Sequence, residues 1–199
     1  MNISIYILTD YISLESKELL QEIENVFTCV TIQWEIIDSE SFKQLKKKER
    51  YITEHALYRY AIADLFPNLD KALYLDADLV INGSIEPLWE LDLEGYYCAG
   101  VDDIFIRRIN YRKILELTEK DVYINAGVLL LNLKDLRKDK IQEKLLQHTS
   151  IYINRDRYQD QDAINCICKG KIKLIPNIYN FTTSETLHTP DMLSGIIII

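Results

Sequence analysis

Two carboxylates spaced two residues apart, Asp76 and Asp78, close the apolar run Leu73-Tyr74-Leu75. On an extended backbone that spacing puts both side chains on one side. Two hard oxygen donors on one side suit a divalent cation such as Mg²⁺ or Mn²⁺. A near-continuous apolar run is the pattern of a strand buried on both faces, and open α/β sheets bind ligands beyond the carboxyl ends of their strands. The segment therefore predicts a strand, its functional end and a metal. Acidic residues also end strands because turns begin there, and that plainer reading stands beside the first.

Other polar residues interrupt apolar segments. Tyr123-Ile124-Asn125-Ala126-Gly127-Val128 sets an amide and a glycine inside a strand-like run, where glycine marks either a bulge or the close approach of another group. Tyr158-Gln159-Asp160-Gln161-Asp162 is a polar burst ahead of a helix, and Asp160 there fits an N-cap. Asp102-Asp103 ends another apolar run. Arg59 sits on a predicted helix, as a surface residue or an anion ligand. Of the three histidines, His55 and His148 read as helix residues and His188 as a surface residue. Cys29, Cys98, Cys166 and Cys168 lack zinc-finger spacing and read as free thiols.

The elements that must position these groups alternate. Strands are expected over Ile3–Leu8, Val30–Ile37, Leu73–Leu75, Tyr96–Val101, part of Val122–Leu133 and Lys171–Ile175. Helices are expected after the capping pattern Ser13-Leu14-Glu15-Ser16, over Glu54–Phe66, from Ser84 through Trp89, over Lys134–Gln147 and over Asp160–Cys168. Such alternation predicts an α/β fold with a mainly parallel sheet. No repeat or linker divides the 199 residues, so one domain, 1–199, is expected. The segment 182–199 fits it poorly, and its closing isoleucines read as an exposed, β-prone end. A net charge of −8 argues against a nucleic-acid partner. The basic run Lys46-Lys47-Lys48-Glu49-Arg50 reads as a solvated face or loop. No secretory leader or membrane-spanning run is recognisable, which points to the cytoplasm, with peripheral attachment at the inner face of the membrane still open.

Five segments together resemble glycosyltransferase family 8, the retaining enzymes that include bacterial lipopolysaccharide galactosyl- and glucosyltransferases and glycogenin. They are Leu57-Tyr58-Arg59-Tyr60, Leu73-Tyr74-Leu75-Asp76-Ala77-Asp78, Pro87-Leu88-Trp89, Asn125 through Asn132, and Tyr158 through Asp162, in the family's order. The resemblance covers about residues 1–181. It implies a GT-A fold, a UDP-hexose donor and Mn²⁺ or Mg²⁺, with a glycan, lipid-linked or protein acceptor. It assigns Asp76 and Asp78 to the metal and places Ala77 near the ribose. Arg59, Asp102 or Asp103, Asn125 and Ala126 fall at the donor sugar and phosphates. Asp160 falls at sugar hydroxyls and Gln161 beneath the anomeric carbon.

The same resemblance places the family's first strand and helix ahead of Met1. It places a third metal ligand, a histidine, after Ile199; the context of His188 does not match it. On that reading the domain is truncated at both ends, sheet edges are left open to self-association, and activity is in doubt. An inactive relative of the family is therefore an alternative. A remoter one comes from Asp76-Ala77-Asp78-Leu79-Val80, which also fits the nucleophile motif of haloacid-dehalogenase phosphatases.

Overall fold

The computed structural model describes residues 2–45, 54–182 and 195–198. The basic run at 46–50 and His188 lie outside these residues. The chain forms two compact units, Met1–Arg59 and Tyr60–Ile199.

In the N-terminal unit, β1 (Ile3–Thr9) and β2 (Val30–Ile36) pair in parallel, from Ile3 opposite Val30 to Thr9 opposite Ile36. Helix α1 (Leu14–Val26) connects them. The capping pattern works as expected, since the Ser16 N–H donates to Ser13 Oγ at 3.0 Å. α1 buries none of its residues, and Ile3, Ile5 and Ile36 of the two-stranded sheet are exposed. Burial in this unit gathers at Ile37, Phe42, Leu45, Leu57 and Tyr58, with the Phe42 and Tyr58 rings edge to face at 5.4 Å. α2 (Glu40–Lys43) carries Phe42.

The expected helix over Glu54–Phe66 is wound in two ways. Glu54–Ala61 is 3₁₀, and only α3 (Ile62–Leu65) is α-helical. At three residues per turn, positions i and i+3 share a face of the winding, as Leu57 and Tyr60 do, and Tyr58 and Ala61. Those four are buried while Ala56 and Arg59 are partly exposed, so the tighter winding matches the side chains to be covered.

In the larger unit, four strands lie in the order β3 (Lys71–Leu75), β5 (Val128–Asn132), β4 (Cys98–Gly100), β6 (Ile172–Leu174). β4 and β6 are parallel, as β1 and β2 are, while β5 runs antiparallel to both its neighbours, which makes this sheet mixed. The consecutive residues Val128, Leu129, Leu130 and Leu131 are all buried, so both faces of β5 are covered. Each contributes roughly 1.5–3 kcal/mol of apolar burial. Gly100 lets the chain pass Ile124, whose Cδ1 would lie 2.6 Å from an added Cβ.

α4 (Glu86–Trp89) has Pro87 at its start and buries Leu88 in the core with Val101, Val128 and Leu130. Lys71 fixes its end by donating to the Trp89 and Leu91 carbonyls, at 2.7 and 3.2 Å. The Pro87-Leu88-Trp89 motif is thus structural.

The helix expected over Lys134–Gln147 is two helices, α6 (Leu133–Lys138) and α7 (Ile141–Tyr152). Lys140 takes a left-handed φ of 52° between them. Asp139 is held there by the Tyr97 hydroxyl at 2.5 Å and by Lys171 at 3.4 Å, which stops α6. Arg137 of α6 donates to the carbonyls of Ala63, Phe66 and Leu69, capping α3 and fixing the approach to β3. α5 (Ile104–Arg108) follows Asp103, and α8 (Gln159–Ile167) precedes β6.

The expectation of an exposed isoleucine end is overturned. Ile196 and Ile198 are buried, Ile198 bridges Ile81 antiparallel, and the Asn82 N–H donates to the Ile197 carbonyl at 2.7 Å. The apolar side chains fill the core beside Leu88 and Tyr179, and the backbone finds partners in the loop after β3.

Candidate active site

β3 delivers the first acid. Its ladder with β5 extends one residue beyond Leu75, through the Asp76 N–H to the Gly127 carbonyl at 2.9 Å. Tyr74 reaches along the strand and donates its hydroxyl to Asp76 Oδ1 at 2.6 Å. The chain then turns at Ala77 and Asp78, both exposed. The same-side geometry expected of an extended backbone therefore does not reach Asp78, which presents its carboxylate from a turn.

Gly127 marks a close approach, not only a bulge. A Cβ there would lie 3.1 Å from both Asp76 Oδ2 and Asn125 Oδ1. The Asn125 oxygen accepts from the Gly127 N–H at 2.8 Å and from Asn180 Nδ2 at 2.8 Å. Those two donors fix the amide, so Asn125 directs its Nδ2 away from them.

The next backbone donor repeats the device. The Ala126 N–H donates to Gln161 Oε1 at 3.0 Å, and Gln161 Nε2 donates to Asp103 Oδ2 at 3.0 Å and to the Tyr123 hydroxyl at 3.2 Å. Asp103 also caps α5 by accepting from the Ile106 N–H. Of the ambiguous pair, Asp103 thus meets Gln161, while Asp102 pairs with Arg107. Burial pushes the Asp102 carboxyl up, against the pull of Arg107 and Arg112.

α8 enters this region with a buried polar face. Gln159 through Asn165 are all buried. Gln159 holds a positive φ of 24°, uncommon for a non-glycine residue and held in place by the packing around it. Asp160 lies in the first turn with 8% exposure. Asp162 and Asn165, which sequence reasoning left unassigned, satisfy the interior. Asn165 accepts from the Ile124 N–H at 2.7 Å and donates to the Ile124 carbonyl at 2.9 Å, standing in for a neighbouring strand. Asp162 accepts from Tyr123, Tyr111 and the Tyr158 N–H. Burial raises the Asp162 carboxyl above its ordinary value even though these donors pull it down. The available signal was polar residues at helical spacing in a segment too short of apolar residues to be a plain core helix.

Asp76, Asn125, Ala126, Gln161 and Asp103 are therefore brought to one place, with Asp160 next to Gln161 on α8. Arg59 belongs to the N-terminal unit, where its Nε donates to the Ala56 carbonyl at 2.9 Å. His55 pairs with Asp10 at 3.2 Å, and His148 is buried against Asp156 at 2.8 Å. Cys98 and Cys168 are buried free thiols, as expected, while Cys29 is exposed and Cys166 partly buried.

Among the described residues, no cluster of three or more His, Cys, Asp or Glu side chains is arranged to hold a metal by itself. Asp76 and Asp78 offer hard oxygen donors at an exposed turn. That donor set fits Mg²⁺ or Mn²⁺, which commonly complete their coordination with phosphate oxygens and water. Among the described residues, no helix is long and apolar enough to cross a membrane.

The fold is that of GT-A glycosyltransferases. The galactosyltransferase LgtC, solved with donor and acceptor sugar analogues, superposes with a TM-score of 0.83 at 21% identity, over 100% of this chain and 86% of that one. GlyE of Streptococcus pneumoniae superposes at 0.72 and 24% identity, over 99% of this chain and 47% of that one. The pattern of glycosyl transferase family 8 matches residues 1–193, and the chain belongs to that family. Lipopolysaccharide 1,2-glucosyltransferase of Escherichia coli is 34% identical over 88% of this chain and 52% of its own. A Haemophilus influenzae relative bearing a glycosyltransferase name is 35% identical over 92% and 56%. The chain spans about half the length of these two relatives. The phosphatase alternative falls with this membership, and Asp76 follows the third strand in chain order, not the first that motif requires.

Proposed function

We propose that this chain carries the donor site of a retaining hexosyltransferase that uses a UDP-sugar and Mn²⁺ or Mg²⁺. One observation carries the proposal. An unbroken series of short contacts runs from Asp76 through Gly127 and Asn125 to Ala126, Gln161 and Asp103. An acid for a cation and amides for a sugar are thereby neighbours.

Asp76 and Asp78 would hold the cation, which when bound neutralises charge on a diphosphate leaving group. The remaining work falls to the chain itself. Breaking the C1–O bond to phosphate leaves the sugar oxocarbenium-like. Gln161, its carbonyl oxygen anchored by Ala126, stabilises that charge as a dipole and is too weak a nucleophile to trap it. Asn125 directs its free amide hydrogens to the donor, and Asp160 accepts from sugar hydroxyls. An acceptor hydroxyl then attacks C1 on the face the phosphate leaves. Its oxygen bonds to C1 as the C1–O bond to phosphate breaks, and its proton passes to the departing phosphate oxygen. The configuration at C1 is kept. The lipopolysaccharide glucosyl- and galactosyltransferases among the relatives support a glycan or lipid-linked acceptor.

The test is turnover of UDP-glucose and UDP-galactose with Mn²⁺ against lipopolysaccharide core and simple glycosides. NMR of the anomeric centre of the product reads the stereochemistry. A retained product sustains the proposal. An inverted product overturns the mechanism, and no UDP release from either donor, even to water, overturns the donor assignment.

A further inference from the structure

Gln161 has an amide whose two ends have nearly the same shape and opposite polarity. Which end faces which neighbour decides the charge it shows a substrate. The Ala126 N–H can only donate and an ionised Asp103 can only accept, so both favour the carbonyl oxygen toward Ala126. The third neighbour, the Tyr123 hydroxyl, can donate or accept. Left to itself, it would satisfy either orientation.

Its choice is made on its far side. The Tyr123 hydroxyl lies 2.5 Å from Asp162 Oδ1. Asp162 is fully buried, and its other oxygen accepts from the Tyr111 hydroxyl at 2.7 Å and the Tyr158 N–H at 2.8 Å. The Tyr111 oxygen accepts from the Arg157 N–H at 2.6 Å, so its own proton is committed to Asp162. Both groups at that carboxylate oxygen are therefore donors. At the other oxygen Tyr123 donates its only proton to Asp162, and the phenol oxygen is then left to accept from Gln161 Nε2.

We propose that Asp162 is a positioning residue that sets the polarity of the Gln161 amide through the Tyr123 hydroxyl. Three groups then agree on one orientation instead of two. A carboxylate that never touches substrate holds the electrostatic face of the site, in the manner of supporting groups that fix the dipoles aimed at a reacting centre. Its catalytic consequence rests on the hexosyltransferase reading; the amide orientation does not.

The informative variant is Asp162→Asn, which keeps the shape and replaces one acceptor by a donor. With that amide donating to the Tyr123 oxygen, the phenol proton turns toward Gln161 and favours the swapped orientation. Two readouts are taken on the full chain. The first is the side-chain ¹⁵N–¹H signal of Gln161, assigned by its loss in Gln161→Glu. The second is kcat and donor KM, with Mn²⁺ present. Expected are a displaced Gln161 amide signal and a kcat lower by roughly ten- to a hundred-fold, with donor KM little changed. An unmoved Gln161 signal in the folded variant overturns the inference. If Asp162→Asn does not fold, Tyr123→Phe removes only the relaying oxygen, and an unmoved signal there overturns it equally. A wild-type chain with no turnover defeats the hexosyltransferase reading alone, because the Gln161 signal still reports the orientation.

Discussion

The two sides of the candidate site are built in opposite ways. On one side Asp76 and Asp78 sit at the end of β3, with Ala77 and Asp78 exposed in a turn. On the other, Gln161, Asp162 and Asn165 are buried on α8, each fixed by two or more hydrogen bonds. A cation and a diphosphate bring their own charge and exchange water for protein ligands, so their acids gain from remaining solvated. A dipole that must face one way gains from being dry and fully satisfied, because every wrong orientation then strands a buried polar group. The open side is suited to binding and the closed side to orientation.

Substitutions should divide along this line. The largest effect is expected from Asp162→Ala, which strands two tyrosine hydroxyls and a backbone N–H. We expect a loss of about 3–5 kcal/mol in urea unfolding, since each buried donor left unsatisfied costs about 1–3 kcal/mol. A loss below about 1 kcal/mol would erase the contrast. Gly100→Ala comes next, because its Cβ would meet Ile124 at 2.6 Å in the strand leading to the site. Overpacking of this kind costs about 1–3 kcal/mol, read as a lower midpoint of thermal unfolding.

Gly127→Ala probes the seam between the sides. Its contacts at 3.1 Å are tight without being prohibitive. A destabilisation of about 1 kcal/mol is expected, with weaker Mn²⁺-dependent binding of UDP as Asp76 is displaced. Asp78→Asn, on the open side, should change stability by no more than about 0.5 kcal/mol while removing the effect of Mn²⁺ on UDP binding by calorimetry.

The smallest effect concerns acid. Burial works against the Asp121 charge, yet hydrogen bonds from Thr118 and the Lys169 ammonium pull its carboxyl down to about 2. A depressed folded value gives stability that is full above the unfolded value of about 3.9 and is lost as pH falls through about 2. Asp121→Asn should therefore flatten the stability profile between about pH 4 and pH 2 and leave neutral-pH ligand binding unchanged.

Much of this was legible beforehand, for definite reasons. The strand before Asp76 announced itself by its apolar run, although β3 lies at the edge of its sheet and its five residues are only partly buried, the strand covered on both faces being β5. Ser13 announced α1 because a helix start needs an acceptor for its free N–H groups, and Gly127 announced a crowded approach. Three features were hidden. The winding of Glu54–Ala61 follows from which side chains are covered, which no local pattern states. The break at Asp139-Lys140 depends on Tyr97 and Lys171, distant in sequence. The roles of Asp162 and Asn165 depend on partners in the segment 111–124, so they read locally as ordinary polar helix residues. The closing isoleucines misled because an apolar end looks exposed until its receiving loop, Ile81-Asn82-Gly83, is known.

The central claim is that Asp76 and Asp78 open a donor site onto the buried amides. It is tested most directly by thermal-shift titration of the chain with UDP, with and without Mn²⁺, beside the Asp76→Asn/Asp78→Asn variant. At a hundred times Kd, a ligand stabilises its native site by about 2.7 kcal/mol. The account predicts a Mn²⁺-dependent rise in unfolding temperature that the variant lacks. A cooperative unfolding transition that neither UDP nor UDP with Mn²⁺ moves would contradict it.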